Sequence, residues 1–322
     1  VQLTQPESLL TRRRNLLEGN IEILILLGAF LLMCVVLSFM SDRFFTWSNA
    51  INVWRQVSIN LLLACGMTFV ILSGGLDLSV GALVSLTGCI TAILLTKTGA
   101  VTAVSAALVV GTAAGLLVGA LVAYGNIPPF VATLGAGTMW RGLALITTGG
   151  DIISNLPAGF LWLGGGFVGA IPVPVIIAGA VALVGYVLLH HTKFGLHVYA
   201  MGGNAEAARL SGVKNHRIIL QVYAIMGLLA AVAGAVLTAR VQSGQPALGT
   251  GMELTAIASV IIGGSNFRGE GRMLGTLIGT LFIGVLGNGL NILSINYFWQ
   301  QVIIGAVIIL AVLMDKVRHA RA

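Results

Sequence analysis

Three long stretches of this chain carry no permanently charged side chain. No Asp, Glu, Lys or Arg occurs from Thr98 to Trp140, from Ile152 to Thr192, or from Met273 to Met314. A helix that crosses the hydrocarbon core of a bilayer needs about 20 apolar residues. Each stretch is therefore long enough for two passes and a turn, a length for which a soluble core helix has no use. Charged residues make up 8% of the chain and apolar ones 57%, whereas a soluble domain has roughly 25% charged residues. So few charges cannot cover a water-facing surface, and lipid must be the main solvent. The expected fold class is an all-α, polytopic membrane protein.

Ten apolar segments are expected as helices: Ile21–Met40, Gln56–Leu72, Ser79–Leu95, Val101–Ala123, Phe130–Thr147, Ile171–Leu189, Ile218–Ala239, Met252–Ile262, Met273–Leu293 and Phe298–Met314. The eighth is too short to span about 30 Å at 1.5 Å per residue. It reads as a half-helix or a re-entrant piece. Positive loops face the cytoplasm. Ten crossings place Arg12–Arg14, the loop with Lys193, Arg209, Lys214 and Arg217, the pair Arg268 and Arg272, and the tail with Lys316, Arg318 and Arg321 on one side. The stretch Thr148–Ala170, with no basic residue, then falls outside. The expected organisation is a cytoplasmic segment over 1–20, one membrane domain over 21–314 with a cytoplasmic loop at 191–217, and a cytoplasmic tail over 315–322. Arg12–Arg14 followed by an apolar run superficially resembles a signal peptide, but the run is longer than the 7–15 residues of such a segment. It reads as an uncleaved first helix.

Several function classes recede at this point. The net charge of +7 arises from short clusters between apolar runs, so it speaks for cytoplasmic loops and not for nucleic acid. Cys34, Cys65 and Cys89 lie inside apolar segments at spacings that match no zinc site. His190 and His191 sit at a segment end beside Lys193, as interfacial residues do. No G-x-x-x-x-G-K-[ST] phosphate loop occurs, and neither do the HExxH or G-x-S-x-G patterns of membrane-embedded hydrolases.

Glycine is abundant, with 43 residues. Gly111, Gly115 and Gly119 share one helix face, as do Gly275 and Gly279, and small residues at that spacing let helices approach closely in lipid. Packing within the subunit is the favoured reading, and a subunit interface the alternative. A weak internal echo links Val70-Ile-Leu-Ser-Gly-Gly75 to Val260-Ile-Ile-Gly-Gly264, as in a duplicated transporter. Asp77 follows the first Gly-Gly among apolar residues. It either caps the next helix or serves the permeation path, since an ionisable residue there is costly and often functional. Asn288 and Asn291 share a helix face and either line a polar path or bond neighbouring helices.

The stretch His191–Arg217 is the most informative polar one. Asn204 is placed to cap a helix of about two turns, Glu206 to sit in its first turn where the dipole favours an acid, and Gly212 to close it in a left-handed conformation. Glu206-Ala-Ala followed by Gly212 resembles the E-A-A-x-x-x-G spacing of cytoplasmic loops in ABC importer permeases. The run Cys65-Gly-Met-Thr-Phe-Val-Ile-Leu-Ser-Gly-Gly-Leu-Asp-Leu-Ser-Val-Gly81 is similar to the signature stretch of the ribose-type permease family. The likeness continues through Phe130–Leu134, Arg141-Gly142, Gly202–Gly212, Ser243-Gly-Gln-Pro246, Gly263-Gly264 and Asn288–Asn291. Leu72-Ser-Gly-Gly75 mimics the start of the ATPase signature, but Leu76 stands where that signature has Gln.

The resemblance implies a bacterial inner-membrane permease with a separate ATPase subunit that holds ATP and magnesium, a periplasmic sugar-binding protein and a second permease copy. No cofactor is expected in this chain, and it is not expected to be an enzyme. ATPase coupling is expected at Asn204, Glu206, Ala207, Ala208, Arg209 and Gly212, and a permeation path at Asp77, Asn288 and Asn291. The expected substrate is a small uncharged sugar, because few charges lie in the apolar segments to compensate an anion. The alternatives are an ion-coupled secondary transporter, for which only Asp77 and Glu253 offer intramembrane carboxylates, and an ABC permease for branched-chain amino acids or another small polar metabolite.

Overall fold

The computed structural model describes residues 9–319. Positions 1–8 of the expected N-terminal segment and 320–322 of the expected tail lie outside the described residues. In chain order the elements are α1 (Leu9–Met40), α2 (Trp47–Leu72), α3 (Val80–Leu95), α4 (Ala100–Ala123), α5 (Pro129–Thr148), α6 (Ala158–Gly165), β1 (Phe167–Val168), β2 (Ile171–Pro172), α7 (Val173–His191), α8 (Lys193–Gly203), α9 (Ala205–Leu210), α10 (Asn215–Val241), α11 (Met252–Ile262), α12 (Met273–Ile292) and α13 (Tyr297–His319). Each expected apolar segment is helical over all but its terminal residues. Among the described residues, six helices are long and apolar enough to cross a membrane: α1, α2, α4, α7, α10 and α12.

Two stretches hold more structure than the sequence reading assigned. The stretch after α5 forms α6 and a small hairpin, in which Phe167 pairs with Pro172 and Val168 with Ile171. Gly169 turns it at φ 62°. This hairpin and an isolated antiparallel bridge between Ile153 and Gly244 are the departures from an all-α fold among the described residues. The loop 191–217 holds two helices, not one. Thr192 starts α8 by accepting from the Gly195 amide at 3.3 Å, and α9 follows after a single residue.

Apolarity alone does not sort these helices. The window Ile23–Met40 of α1 is 6% buried, whereas α2 is 83% buried. Both are apolar; what differs is the presence of small side chains where backbones meet. Gly111 and Gly115 of α4 lie directly on Gly227 and Tyr223 of α10, and a methyl group on Gly119 would stand 3.1 Å from the Tyr223 Cβ. Gly88 of α3 meets Thr238 and Gly234 of α10 in the same way. The glycine stripe on α4 thus packs within this chain, and α10 becomes the shared wall of α2, α3 and α4. Gly275 and Gly279 of α12 press on Gly263 and Ser259, at and just beyond the end of α11. On the outer faces, Phe39, Val101, Ile146 and Leu183 are exposed, as a lipid-facing surface requires.

Candidate functional site

The two Gly-Gly stretches end their helices in the same way. After α2, the Gly74 amide donates to the Ile71 carbonyl at 2.9 Å and the Gly75 amide to the Val70 carbonyl at 2.9 Å. After α11, the Gly264 amide donates to Ile261 at 2.9 Å and the Ser265 amide to Val260 at 3.1 Å. The left-handed residues, Gly74 at φ 80° and Gly264 at φ 81°, correspond in this pattern. It is the Schellman closure, which needs a residue free to take positive φ. Each turn leads into a side-chain clasp. Asp77 Oδ1 accepts from the Ser79 amide at 2.8 Å and its hydroxyl at 2.6 Å; Asn266 Oδ1 accepts from the Arg268 amide at 3.0 Å. The echo in the sequence is therefore a repeated local structure. The turns also meet, since a methyl on Gly74 would lie 3.7 Å from the Phe267 carbonyl.

Helix α8 lies across both turns. Gly202 abuts the Leu72 carbonyl at the end of α2, and a methyl there would stand 2.9 Å from the Gly269 Cα. The Tyr199 hydroxyl donates to the Gly271 carbonyl at 3.0 Å, and burial pushes that hydroxyl up to about 12. Directly after α8 comes α9, built as its sequence dictates. The Asn204 side chain accepts from the Glu206 amide at 3.1 Å and the Ala207 amide at 2.9 Å. Gly212, at φ 88°, donates its amide to the Arg209 carbonyl at 3.0 Å, and the Val213 amide reaches Ala208 at 3.0 Å. Arg209 forks onto Glu206 through Nε at 2.9 Å and through Nη2 at 2.6 Å. That hydrogen bond holds the Glu206 carboxyl below the usual range. Ala208 is buried, while Leu210 is 74% exposed. The helix has six residues, shorter than the two turns expected. All six residues assigned to coupling fall in or beside it, and the sequence reading passed over Leu210.

A second feature lies deeper. Helix α3 starts at the level of Gly137, about halfway along α5, where a methyl on Gly137 would lie 3.3 Å from the Ser79 Cα. The chain leading into α11 runs beside α3 in the opposite sense: Gly244 abuts Ala92, and the Gly249 amide donates to Ser85 Oγ at 2.9 Å. The first turn of α11 then brings the Glu253 carboxylate against Gly81 in the first turn of α3. Two short helices thus present their N-termini to each other in the interior. Helix N-termini carry partial positive charge, which suits the acids found there: Asp77, 3% exposed, and Glu253, whose Oε2 is buried without a hydrogen-bond partner. The Tyr223 hydroxyl donates to the Leu76 carbonyl at 3.0 Å and fastens this stretch to α10. Only a glycine at position 81 leaves room for the Glu253 carboxylate.

The remaining expected path residues lie elsewhere. Asn288 exchanges two hydrogen bonds with Asn49 of α2, at 3.1 and 2.8 Å. Asn291 accepts from Gln300 of α13 at 2.9 Å. They tie α12 to two neighbours, α2 and α13; the hydrogen bonds of Asp77 go to Ser79 instead. A further polar link, Thr68 to Thr276 at 2.8 Å, joins α2 to α12; hydroxyls in long apolar runs gave no signal of that pairing.

Comparison with known proteins places residues 49–312 within the family described as "Branched-chain amino acid transport system / permease component". The chain is 43% identical to the ribose import permease protein RbsC of Escherichia coli (strain K12), over 89% of this chain and 92% of that one. It is 44% identical to the ribose import permease protein RbsC of Bacillus subtilis (strain 168), over 91% and 92%. It is 37% identical to the D-allose transport system permease protein AlsC of Escherichia coli (strain K12), over 90% and 91%. No solved structure matches the chain.

Proposed function

We propose, because the chain belongs to the family of branched-chain amino acid transport system permease components, that it is built to pass a ribose-like monosaccharide. The chain is a permease subunit of an ATP-binding-cassette sugar importer and a multi-pass protein of the bacterial inner membrane. The observation that carries ribose is the likeness itself. It reaches 43–44% with the two ribose permeases, 37% with the allose permease and 31% with a xylose permease, each over most of both chains.

Ten crossings with both termini in the cytoplasm agree best with the packing. The ends of α2, α7 and α11 gather with α8 on one side, together with the basic loop residues. The short helices then belong to composite crossings, one made of 73–79 and α3, the other of 242–251 and α11. Non-helical backbone is tolerated at such depth where protein surrounds it, as it does here.

The chain has no nucleotide site or cofactor of its own in this reading. ATP and magnesium sit on a separate ATPase subunit, a sugar-binding protein docks outside, and a second permease copy completes the assembly. α9 seats in the ATPase with Leu210 as its apolar anchor. Movement of α9 is carried by α8 to both Gly-Gly turns, and so to the ends of α2 and α11. The paired N-termini of α3 and α11 then shift between outward- and inward-facing arrangements. The sugar passes Asp77, and Asn288 and Asn291 hold the helices that wall the path.

The test is uptake of labelled ribose, allose and xylose into liposomes that hold the permease, its ATPase and its binding protein. Ribose uptake that requires internal ATP and the binding protein is the expected result. Uptake driven by an ion gradient without ATP, or preference for leucine over ribose, refutes the reading.

A further inference from the structure

Two arginines from distant parts of the chain come together at the end of the bundle away from α8 and α9. Arg55 lies in α2, and its Nη2 donates to the Gly165 carbonyl at the end of α6 at 2.7 Å. Arg240 is the penultimate residue of α10, and its backbone abuts Gly164, where an added methyl would overlap the Arg240 amide nitrogen. The Gly164–Gly165 end of α6 thus lies against both residues, and the two charges are within electrostatic reach of each other. Nothing in the fold compensates them. Among the described residues neither guanidinium forms an ion pair, the Arg240 side chain has no hydrogen-bond partner, and Arg55 Nε is buried without one. Asp151, the one acid between α5 and α7, is exposed and pairs with neither. Like charges held side by side repel, and a partly desolvated cation without a counter-charge is costly. Transport as described above makes no use of either arginine.

We propose that Arg55 and Arg240, with the β1–β2 hairpin beside them, form the seat for an acidic side chain of the sugar-binding protein. This rests on the importer reading and the ten-crossing topology given above, which put this end of the bundle outside. Phe167 of β1 lies over the Arg55 guanidinium, 4.8 Å from it to the ring centroid. Together with the Gly165 bond, the ring fixes the plane of that guanidinium, as a forked contact to a carboxylate requires. Phe167, Val168 and Ile171 are exposed, so apolar surface borders the cations. Arginine beside aromatic side chains is the combination enriched where proteins meet. The chain leading into α6 exposes Asp151, Ser154 and Asn155, so this side meets water and not lipid tails. Two cations without a paired acid then select a carboxylate from the partner and speed its approach.

Docking has a consequence inside the membrane. Helix α2 carries Arg55 and ends at the Gly74–Gly75 turn against α8, while α10, which carries Arg240, packs along α2. A carboxylate that bridges both guanidiniums draws the outer parts of α2 and α10 together, so the arrival of the binding protein acts on a helix that α8 also contacts.

The experiment measures binding of the sugar-binding protein of the same transport system, with and without ribose, to the transporter assembled from the full-length chain and its ATPase in lipid nanodiscs. It compares the wild type with Arg240→Gln, Arg55→Gln and Arg43→Gln, the last an exposed cation in the turn between α1 and α2. Loss of a charge-assisted contact should weaken binding about tenfold or more in Arg240→Gln and in Arg55→Gln. Raised salt should weaken the wild type more than either variant, and Arg43→Gln should bind as the wild type does. A photo-crosslinker introduced as Val168→p-benzoylphenylalanine should label the binding protein. Unaltered affinity in both Arg240→Gln and Arg55→Gln overturns the seat. Equal weakening in Arg43→Gln overturns it as well, since general attraction then suffices, and so does a crosslink from position 168 to lipid alone. If Arg55→Gln, which loses the Gly165 bond, does not run as a folded species in size exclusion, Arg240→Gln decides alone. ATP-dependent uptake with unaltered docking in these variants removes this surface and leaves the importer reading standing. Absence of both docking and uptake in the wild type removes the importer reading itself.

Discussion

Replacing Gly202 by alanine should uncouple the transporter while leaving it folded in the membrane. An added methyl overlaps the Leu72 carbonyl oxygen and stands 2.9 Å from the Cα and 3.0 Å from the amide nitrogen of Gly269. Unbonded carbon atoms rest at about 3.5–4.0 Å, so α8 must retreat from Gly269 by about 0.5–1 Å and from Leu72 by more. Both obstacles are backbone, so no side chain can turn aside. Overpacking of this kind costs about 1–3 kcal/mol, less than the core formed by α2, α4 and α10 supplies, so insertion and assembly should survive. The lost contact is the one proposed above to carry movement from α9 to the ends of α2 and α11. In liposomes with the ATPase and binding protein, Gly202→Ala should lose most sugar uptake and the stimulation of hydrolysis by loaded binding protein, while basal hydrolysis persists. The neighbouring Gly203→Ala is the control, because its methyl would meet only the Arg268 carbonyl at 3.8 Å. Wild-type uptake and wild-type stimulation in Gly202→Ala would refute the reasoning.

Four further outcomes follow from named contacts. Asn288→Leu strands Asn49 and should lower stability by about 0.6–1.7 kcal/mol, with the double variant Asn49→Leu/Asn288→Leu recovering part of the loss; thermal melts that show strictly additive effects contradict the pairing. Gly115→Leu should abolish the folded peak in size exclusion by prising α4 from α10, while Gly135→Leu, which faces open space, should not. The Glu206 carboxyl is held low in the folded chain, so the Arg209 contact is present above the unfolded value of about 4.3 and is lost only as pH falls through the lower folded one; amide exchange in α9 should show no midpoint near neutrality due to this pair. Reporter fusions after Arg272 and Met314 should both give cytoplasmic signals, and a periplasmic signal at either position breaks the ten-crossing topology.

The sequence by itself determined the apolar elements and the start and end of α9. Charge-free length forces helices in lipid because every backbone donor and acceptor there needs an internal partner. Asn204 and Gly212 were legible because caps are local: the side chain of Asn204 reaches amides two and three residues on, and glycine alone takes positive φ without penalty. The first apolar residues of α8 gave no such signal, since its glycines at 195, 202 and 203 read as loop until Gly195 is seen against the Leu189 carbonyl and Gly202 against Leu72 and Gly269. Asp77 was legible as an acid near a helix start, but its neighbour Glu253 lies 176 positions further along the sequence, and nothing in one dimension brings α11 against α3. The Asn288–Asn49 pair was left open between path and brace for the same reason, as an amide in an apolar run shows a need for a partner and not which partner. In lipid, hydrophobicity does not distinguish a buried face from an exposed one, because both are apolar. The tertiary structure decides that, through the small residues that let α10 take three helices on its surface and leave α1 with its leucines in the bilayer.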